Sequence, residues 1–195
     1  MAVHRILGAV LALAVATTIA ACSSSAAPGG GSSTPTGPPT EVHPPGDIPD
    51  NQAFVPYSGA GYRVVVPEGW SRANQGGAVQ FSDKYNSITI TARATGQAPT
   101  VAGARSELPA IRSSTKSFTA GRIATVQRSA GTAVLVTYQD LSPVNPVTGK
   151  VTRRAVERYE FWRSGREVVL TLAAPVGSDN VDPWRKVTDG FAWTR

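Results

Sequence analysis

The chain has 195 residues, of which about 140 lie beyond an apolar leader and a Pro/Gly/Ser-rich stretch, enough for one domain with a core of its own. It carries 19 Lys and Arg against 13 Asp and Glu, a formal charge of +6, with one Cys and two His. Cys22 and both histidines precede the expected domain, which excludes from that domain a disulfide staple, Ser-His-Asp and Cys-His nucleophiles, and zinc or copper sites built on imidazole or thiolate.

Met1 to Arg5 is a short start with one Arg, and Ile6 to Ala21 follows without a charge. That run falls short of the roughly 20 residues that span a bilayer and fits the apolar part of a secretory signal. It closes on Ile19-Ala20-Ala21-Cys22, which resembles the bacterial lipobox: an aliphatic residue, two small residues, then the Cys. The resemblance implies that residues 1–21 are a removable signal peptide and that the Cys22 thiol takes a diacylglycerol. Palmitate-type acyl chains would then hold the protein on the extracytoplasmic face of the cell membrane, since each buried CH₂ contributes about 0.8 kcal/mol. The alternative is an ordinary secreted protein cut after Ala14-Val15-Ala16.

Residues 22–56 read as a lipidated N-terminus and a disordered tether. Ser-Ser-Ser, Pro-Gly-Gly-Gly, Pro-Thr-Gly-Pro-Pro and His43-Pro-Pro-Gly46 offer little to bury against the entropy of ordering. Such a coil has ends about 30 Å apart on average and reaches about 110 Å when stretched. Of the 19 basic residues only Arg5 precedes residue 57, and three of the 13 acids do (Glu41, Asp47, Asp50), so the domain 57–195 holds 18 against 10, a surplus of eight. A basic face attracts anionic lipid headgroups or acidic wall polymers, and the extracytoplasmic address argues against nucleic acid.

Within the domain, Tyr62 to Val66 is a short strand ended by Pro67-Glu-Gly69-Trp70, where Pro presets the turn and Gly frees it. Ala78 to Asp83 is a second strand, and Lys84 to Asn86 turns the chain. Ser87 to Ala94 follows, with Ile88, Ile90 and Ala92 alternating against polar neighbours, the pattern of a half-buried antiparallel strand. Thr100 is a candidate N-cap for a helix whose Val101, Ala104, Leu108 and Ile111 recur at helical spacing, and Pro109 is expected to kink it or end it early. Strands are expected over about 118–128 and 132–140, the second central because Ala133 to Tyr138 is apolar on both faces. After a loop over 141–149 comes the clearest hairpin, 152–163 and 166–174 across Ser164-Gly165. A two-residue turn pairs 163 with 166, 161 with 168 and 159 with 170. Tyr159, Phe161, Val168, Leu170 and Leu172 then face the core, and Arg154, Arg158, Glu160 and Trp162 face away. A last helix is expected with Asp182 as N-cap, Pro183 at its first position, Trp184, Val187 and Phe191 as its apolar stripe, and Gly190 near its end.

This order resembles the Mog1/PsbP-like fold, and within it the LpqN/LpqT type of actinobacterial lipoprotein, on Tyr62-x-Val-x-Val-Pro-x-Gly-Trp70 and Trp184-x-x-Val-x-x-Gly-Phe191. The resemblance implies an α+β domain over 57–195, a mostly antiparallel sheet flanked by two helices. It implies no single activity, since the fold serves binding and assembly in unrelated settings.

The remaining chemistries are few. Ser113-x-x-Lys116 has the Ser-Lys spacing but lies past the Pro-bearing helix without partner motifs. Glu157 and Glu160 are three apart on one strand, hence on opposite faces, and cannot flank one bond. Glu157 is expected to meet an Arg. Asp179, Asn180 and Asp182 lack Ca²⁺-loop spacing and read as helix capping. No Walker loop or Gly-x-Gly-x-x-Gly occurs, so neither cofactor nor metal is expected. Arg154, Arg158 and Trp162, at period two on one strand face, form the candidate binding surface, able to stack a sugar ring or hold an anionic headgroup. The loop 141–149 is a second candidate surface. The sequence therefore points to a non-enzymatic, lipid-anchored envelope module that binds an anionic envelope lipid, a wall polymer or a partner protein. The alternatives are a lipid or glycolipid carrier, which needs a large apolar cavity, and a carboxylate-based hydrolase.

Overall fold

In the computed structural model the described residues are 46–195. The leader, Cys22, His43 and the expected tether as far as residue 45 lie outside them. The strands are β1 (Phe54–Gly59), β2 (Tyr62–Pro67), β3 (Ser71–Gln75), β4 (Ala78–Asp83), β5 (Asn86–Ala94), β6 (Thr119–Arg128), β7 (Gly131–Leu141), β8 (Arg153–Arg163), β9 (Arg166–Pro175) and β10 (Ala192–Trp193). The helices are α1 (Val101–Ser114), between β5 and β6, and α2 (Val181–Asp189), between β9 and β10. All pairing is antiparallel, in a seven-stranded sheet of order β3-β4-β5-β9-β8-β7-β6 and a three-stranded sheet of order β1-β2-β10.

The register of the large sheet follows from the Ser164-Gly165 turn. Both residues have positive φ, 48° and 82°, the twist that a two-residue hairpin demands. Arg163 pairs with Arg166, Phe161 with Val168 and Tyr159 with Leu170, as the turn length dictates. Alternation then sends Tyr159, Phe161, Val168, Leu170 and Leu172 to one face, where they are buried with Ile88, Ile90 and Leu135. The small sheet and α2 cover this face with Tyr62, Val64, Val66, Trp184, Val187 and Phe191. The opposite face carries a second, smaller cluster: Val134 and Val136 of β7 under Ala104 and Leu108 of α1. β7 is thus apolar on both sides because both are covered, although it lies next to the edge strand β6.

The two motifs quoted above pack on each other. Trp70 meets Trp184 edge to face with centroids 6.4 Å apart, and Tyr62 stacks on Phe191 at 6.0 Å. A Cβ on Gly190 would come 2.4 Å from Val65 Cγ2, so glycine is what lets the end of α2 approach β2.

Four expectations need correction. Residues 46–56 belong to the fold rather than to a tether: β1 pairs with β2 along its whole length, and Ile48 is buried in the core. Isolated apolar residues among Pro, Gly and Asp carry no periodic signal, and these are ordered only by distant partners. Pro109 does not end α1, which runs to Ser114. It sits on an exposed turn, where the freed Arg105 carbonyl can meet water, and Ser113 and Ser114 bond back to Ala110 O. The N-cap position of α2 is Asn180 rather than Asp182, so Pro183 falls at the third helical position, still in the turn whose N–H groups lack intrahelical partners. Strand β3 has no sequence signal, because all five of its residues are exposed. The expected N-cap Thr100 does cap α1, its Oγ1 accepting from Gly103 N–H at 2.9 Å.

Candidate binding site

The outward row of β8 does not form one open surface. Arg154 donates from Nε and Nη2 to both oxygens of Asp140 on β7, at 2.9 and 2.6 Å, a planar two-pronged pair. Arg158 donates from Nε to Glu160 at 2.8 Å and lies 3.7 Å from Glu107 of α1. The Trp162 indole N–H donates to Thr95 O at 3.2 Å. Arg158 is therefore occupied beside α1, and the Trp162 indole N–H by the segment between β5 and α1. Arg154 alone of the three lines a cleft.

That cleft, of about 190 Å³, lies where the loop after β7 folds over the turn between β4 and β5. The loop is built on Asn145, whose Oδ1 accepts from Val147 and Thr148 N–H at 3.0 and 2.9 Å, with Gly149 at φ 67° closing the turn. Ser142 anchors its base: its N–H donates to Thr152 O, and Thr152 N–H donates to Ser142 Oγ. Pro143, Val144 and Pro146 form one wall of the cleft, and Ser82, Lys84, Tyr85 and Ser87 form another. Ser82 and Ser87 are directly paired across β4 and β5. Among the described residues no carboxylate lines the cleft. Lys84 has no ion pair among the described residues, and Arg154 is already neutralised by Asp140.

A second cluster was not legible as a cluster. Arg93 on β5, Glu107 on α1, Arg158 and Glu160 on β8 and Glu167 on β9 form one chain of ion pairs beside the N-terminal turn of α1. Arg93 pairs with Glu167 and lies 3.6 Å from Glu107. Burial pushes the Glu160 carboxyl above the ordinary glutamate range, with Glu107 and Glu167 adding to the shift, while Arg158 pulls it back. The cluster fastens α1 to the sheet, and each carboxylate has a guanidinium partner. Glu157, on the core side as expected, accepts from Tyr159 O–H at 2.7 Å, and Arg128 donates to that same oxygen at 2.9 Å, so its Arg is one step removed.

Ser113 Oγ donates to Ala110 O, a local helix contact. Asp179, Asn180 and Asp182 do not converge on a cation. Asp179 N–H donates to Asp47 Oδ1, Asn180 binds residues 46–48, and Asp182 lies in the first turn of α2. Among the described residues no group of three or more His, Cys, Asp or Glu can hold a metal ion.

No protein-family model and no curated protein matches the chain. Among solved structures, PsbP of the cyanobacterium Synechocystis aligns with a TM-score of 0.54 at 15% identity, over 82% of this chain and 99% of its own length. The fold is Mog1/PsbP-like. The Ran-binding protein Mog1p of Saccharomyces cerevisiae aligns with a TM-score of 0.46 at 13% identity, over 73% of this chain and 95% of its own. LpqN of Mycobacterium tuberculosis, a protein involved in cell envelope biogenesis, aligns with a TM-score of 0.40 at 15% identity, over 75% and 93%.

In this Mog1/PsbP-like domain the cleft sits at the end of the large sheet where the described chain begins. Asn86, which lines the cleft, donates from Nδ2 to Gly46 O at 2.9 Å. Of the cleft residues, Arg154 and the loop were legible from sequence. Ser82, Lys84, Tyr85 and Ser87 were not, because a strand end and a turn look alike whether or not another loop folds over them.

Proposed function

We propose that the protein is a lipid-anchored, extracytoplasmic module of the cell envelope that binds and does not catalyse. What supports this reading is the cleft below the 141–149 loop: polar, open and, among the described residues, carrying an unpaired cation and lined by no carboxylate, His or Cys that could act as general base. The lipobox at Ile19-Ala20-Ala21-Cys22 supplies the anchor in this reading, and Cys22 the lipidation site. The acidic cluster at α1 does not favour a hydrolase, since its carboxylates are held by Arg93 and Arg158. The most apolar hollow described, about 370 Å³ on the outer side of α1 over Leu108 and Pro109, is open to solvent and flanked by Arg105 and Arg112, which does not favour a carrier.

The test has two arms. Cells expressing Cys22→Ala are fractionated, and the variant is expected to leave the membrane. A photo-crosslinker placed at Tyr85 or Val144 is expected to capture an envelope component, where the same group at exposed Arg185 captures none. A Cys22→Ala protein still in the membrane fraction, or turnover of a substrate that is lost on changing one Asp or Glu, would overturn the proposal.

A further inference from the structure

Most of the exposed large apolar residues gather at one end of the domain. Val144 is 56% exposed, Val147 90% and Val151 48%, all on or beside the loop that walls the cleft. Val176, 47% exposed, follows at the end of β9, its N–H bonded to Arg153 O at the start of β8. Water-exposed valines on a loop bordering a polar cleft are an unusual pairing for a surface that meets only solvent.

This is also the end where the chain enters the fold. Gly46 O accepts from Asn86 and from Asn180 Nδ2, which fixes the entry point beside the cleft. Cys22 and Gly46 are separated by a stretch that, fully extended, cannot exceed about 80 Å. An acyl chain on Cys22 would therefore hold the cleft end within reach of the bilayer at a high effective concentration.

The chemistry of the cleft selects the ligand. Lys84 sits at the tip of the β4–β5 hairpin with φ 52°, a left-handed backbone uncommon for a side-chain-bearing residue. It is a cation with no ion pair among the described residues, and Asp83 beside it does not line the cleft. The Ser82, Ser87 and Tyr85 hydroxyls have no hydrogen bond within the described residues and are free to donate and accept. One unpaired cation with several hydroxyls, beside an Arg154 already held by Asp140, suits an anionic group attached to a polyol. The other acids of this end are held elsewhere: Asp140 by Arg154, Asp47 in the entry segment by the Asp179 N–H, Asp179 in the loop before α2, and Asp182 in its first turn.

We infer that the cleft binds the phosphorylated polyol headgroup of a membrane lipid, with Val144 and Val147 resting in the interface around it. Lys84 meets the phosphate, Ser82, Ser87 and Tyr85 meet the polyol hydroxyls, and the proline-stiffened loop supplies the apolar contact. This rests on the anchored-module reading, but it is tested without the anchor.

The chain from residue 22 onward, carrying Cys22→Ser, is sedimented with vesicles of phosphatidylcholine alone, with added phosphatidylinositol, or with added phosphatidylserine. Binding is expected to be strongest with phosphatidylinositol, weaker with phosphatidylserine, and weakest with phosphatidylcholine. Lys84→Ala should weaken it about fivefold, the effect of one basic residue near an anionic surface. Val147→Asp should also weaken it with the melting temperature unchanged, since that side chain touches little. Equal binding to the two anionic lipids, or binding indifferent to both Lys84→Ala and Val147→Asp, overturns the inference. Free inositol 1-phosphate binding as tightly as the vesicles would assign the cleft to a soluble ligand and also overturn it. Because the acyl chain is absent, a negative result here leaves the Cys22→Ala fractionation to judge the anchor separately.

Discussion

The Asn180 side chain accepts the Ile48 N–H at 2.8 Å across 132 positions of sequence, and so holds the first described segment against the start of α2. Its Nδ2 also donates to Gly46 O at 3.0 Å. These two partners are main-chain, a third and longer bond runs from Nδ2 to Asn86 Oδ1 at 3.5 Å, and Asn180 is itself buried. Asn180→Ala should orphan a buried N–H and cost about 2 kcal/mol in urea unfolding. In hydrogen exchange the Ile48 amide should lose protection while amides of β8 and β9 change only with global stability.

Gly190 ends α2 with φ −76°, so backbone freedom is not why glycine stands there. Space is the reason: an added Cβ would lie 2.4 Å from Val65 Cγ2 and 2.8 Å from Lys186 O. Gly190→Ala should destabilise the fold by about 1–3 kcal/mol. Val65→Ala in the same chain should recover part of the loss, because it removes the side-chain clash and leaves the carbonyl one. No recovery in a thermal melt would show that the helix end moves away from β2 instead.

Arg154 and Asp140 are 14% and 10% exposed at their side chains, so the pair is largely out of water. Removing one member should cost more than removing both. Asp140→Ala leaves a nearly buried guanidinium unpaired and should cost about 3 kcal/mol, whereas Asp140→Ala with Arg154→Met should recover at least half of that. A double-mutant cycle in urea measures the coupling. Additive losses would show that Arg154 finds water in the cleft once Asp140 is gone.

Glu160 provides a pH test of how α1 is fastened. Its folded pKa lies above the unfolded value of 4.5, because burial and the nearby Glu107 and Glu167 outweigh the pull of Arg158. The folded state therefore holds the Glu160 proton more tightly than the unfolded chain does. The resulting stabilisation is fully present below pH 4.5 and is lost as pH rises through the folded value. The stability of the parent relative to Glu160→Gln should rise as pH falls from neutrality toward that range. Parallel curves from neutral to acid pH would show that Glu160 titrates as an exposed carboxyl does.

Much of the fold was legible where a local rule has one solution. Ser164-Gly165 admits only a two-residue turn, so the β8–β9 register and the inward set of Phe161, Leu170 and Leu172 followed from counting. Thr100 was legible as a cap because its hydroxyl serves a helix whether or not tertiary contacts exist. Asn180 was not, because its side chain leaves its own helix for Gly46 and Ile48. The candidate row Arg154, Arg158 and Trp162 was correctly placed on one strand face. Whether that face was open depended on Glu107 of α1 and Asp140 of β7, neither of which is a local neighbour.

From sequence alone came the lipobox reading at Cys22, the absence of His and Cys beyond residue 43, the strand faces and the α+β class, since each depends on residue identity or on period. Tertiary structure alone decided that residues 46–56 join the core, that Arg158 is consumed by a glutamate, and that Arg154 shares a cleft with Lys84 and the loop 141–149. These are contacts between segments far apart in the chain. Their energies come from burial and charge pairing at close range, quantities that no local pattern of residues encodes.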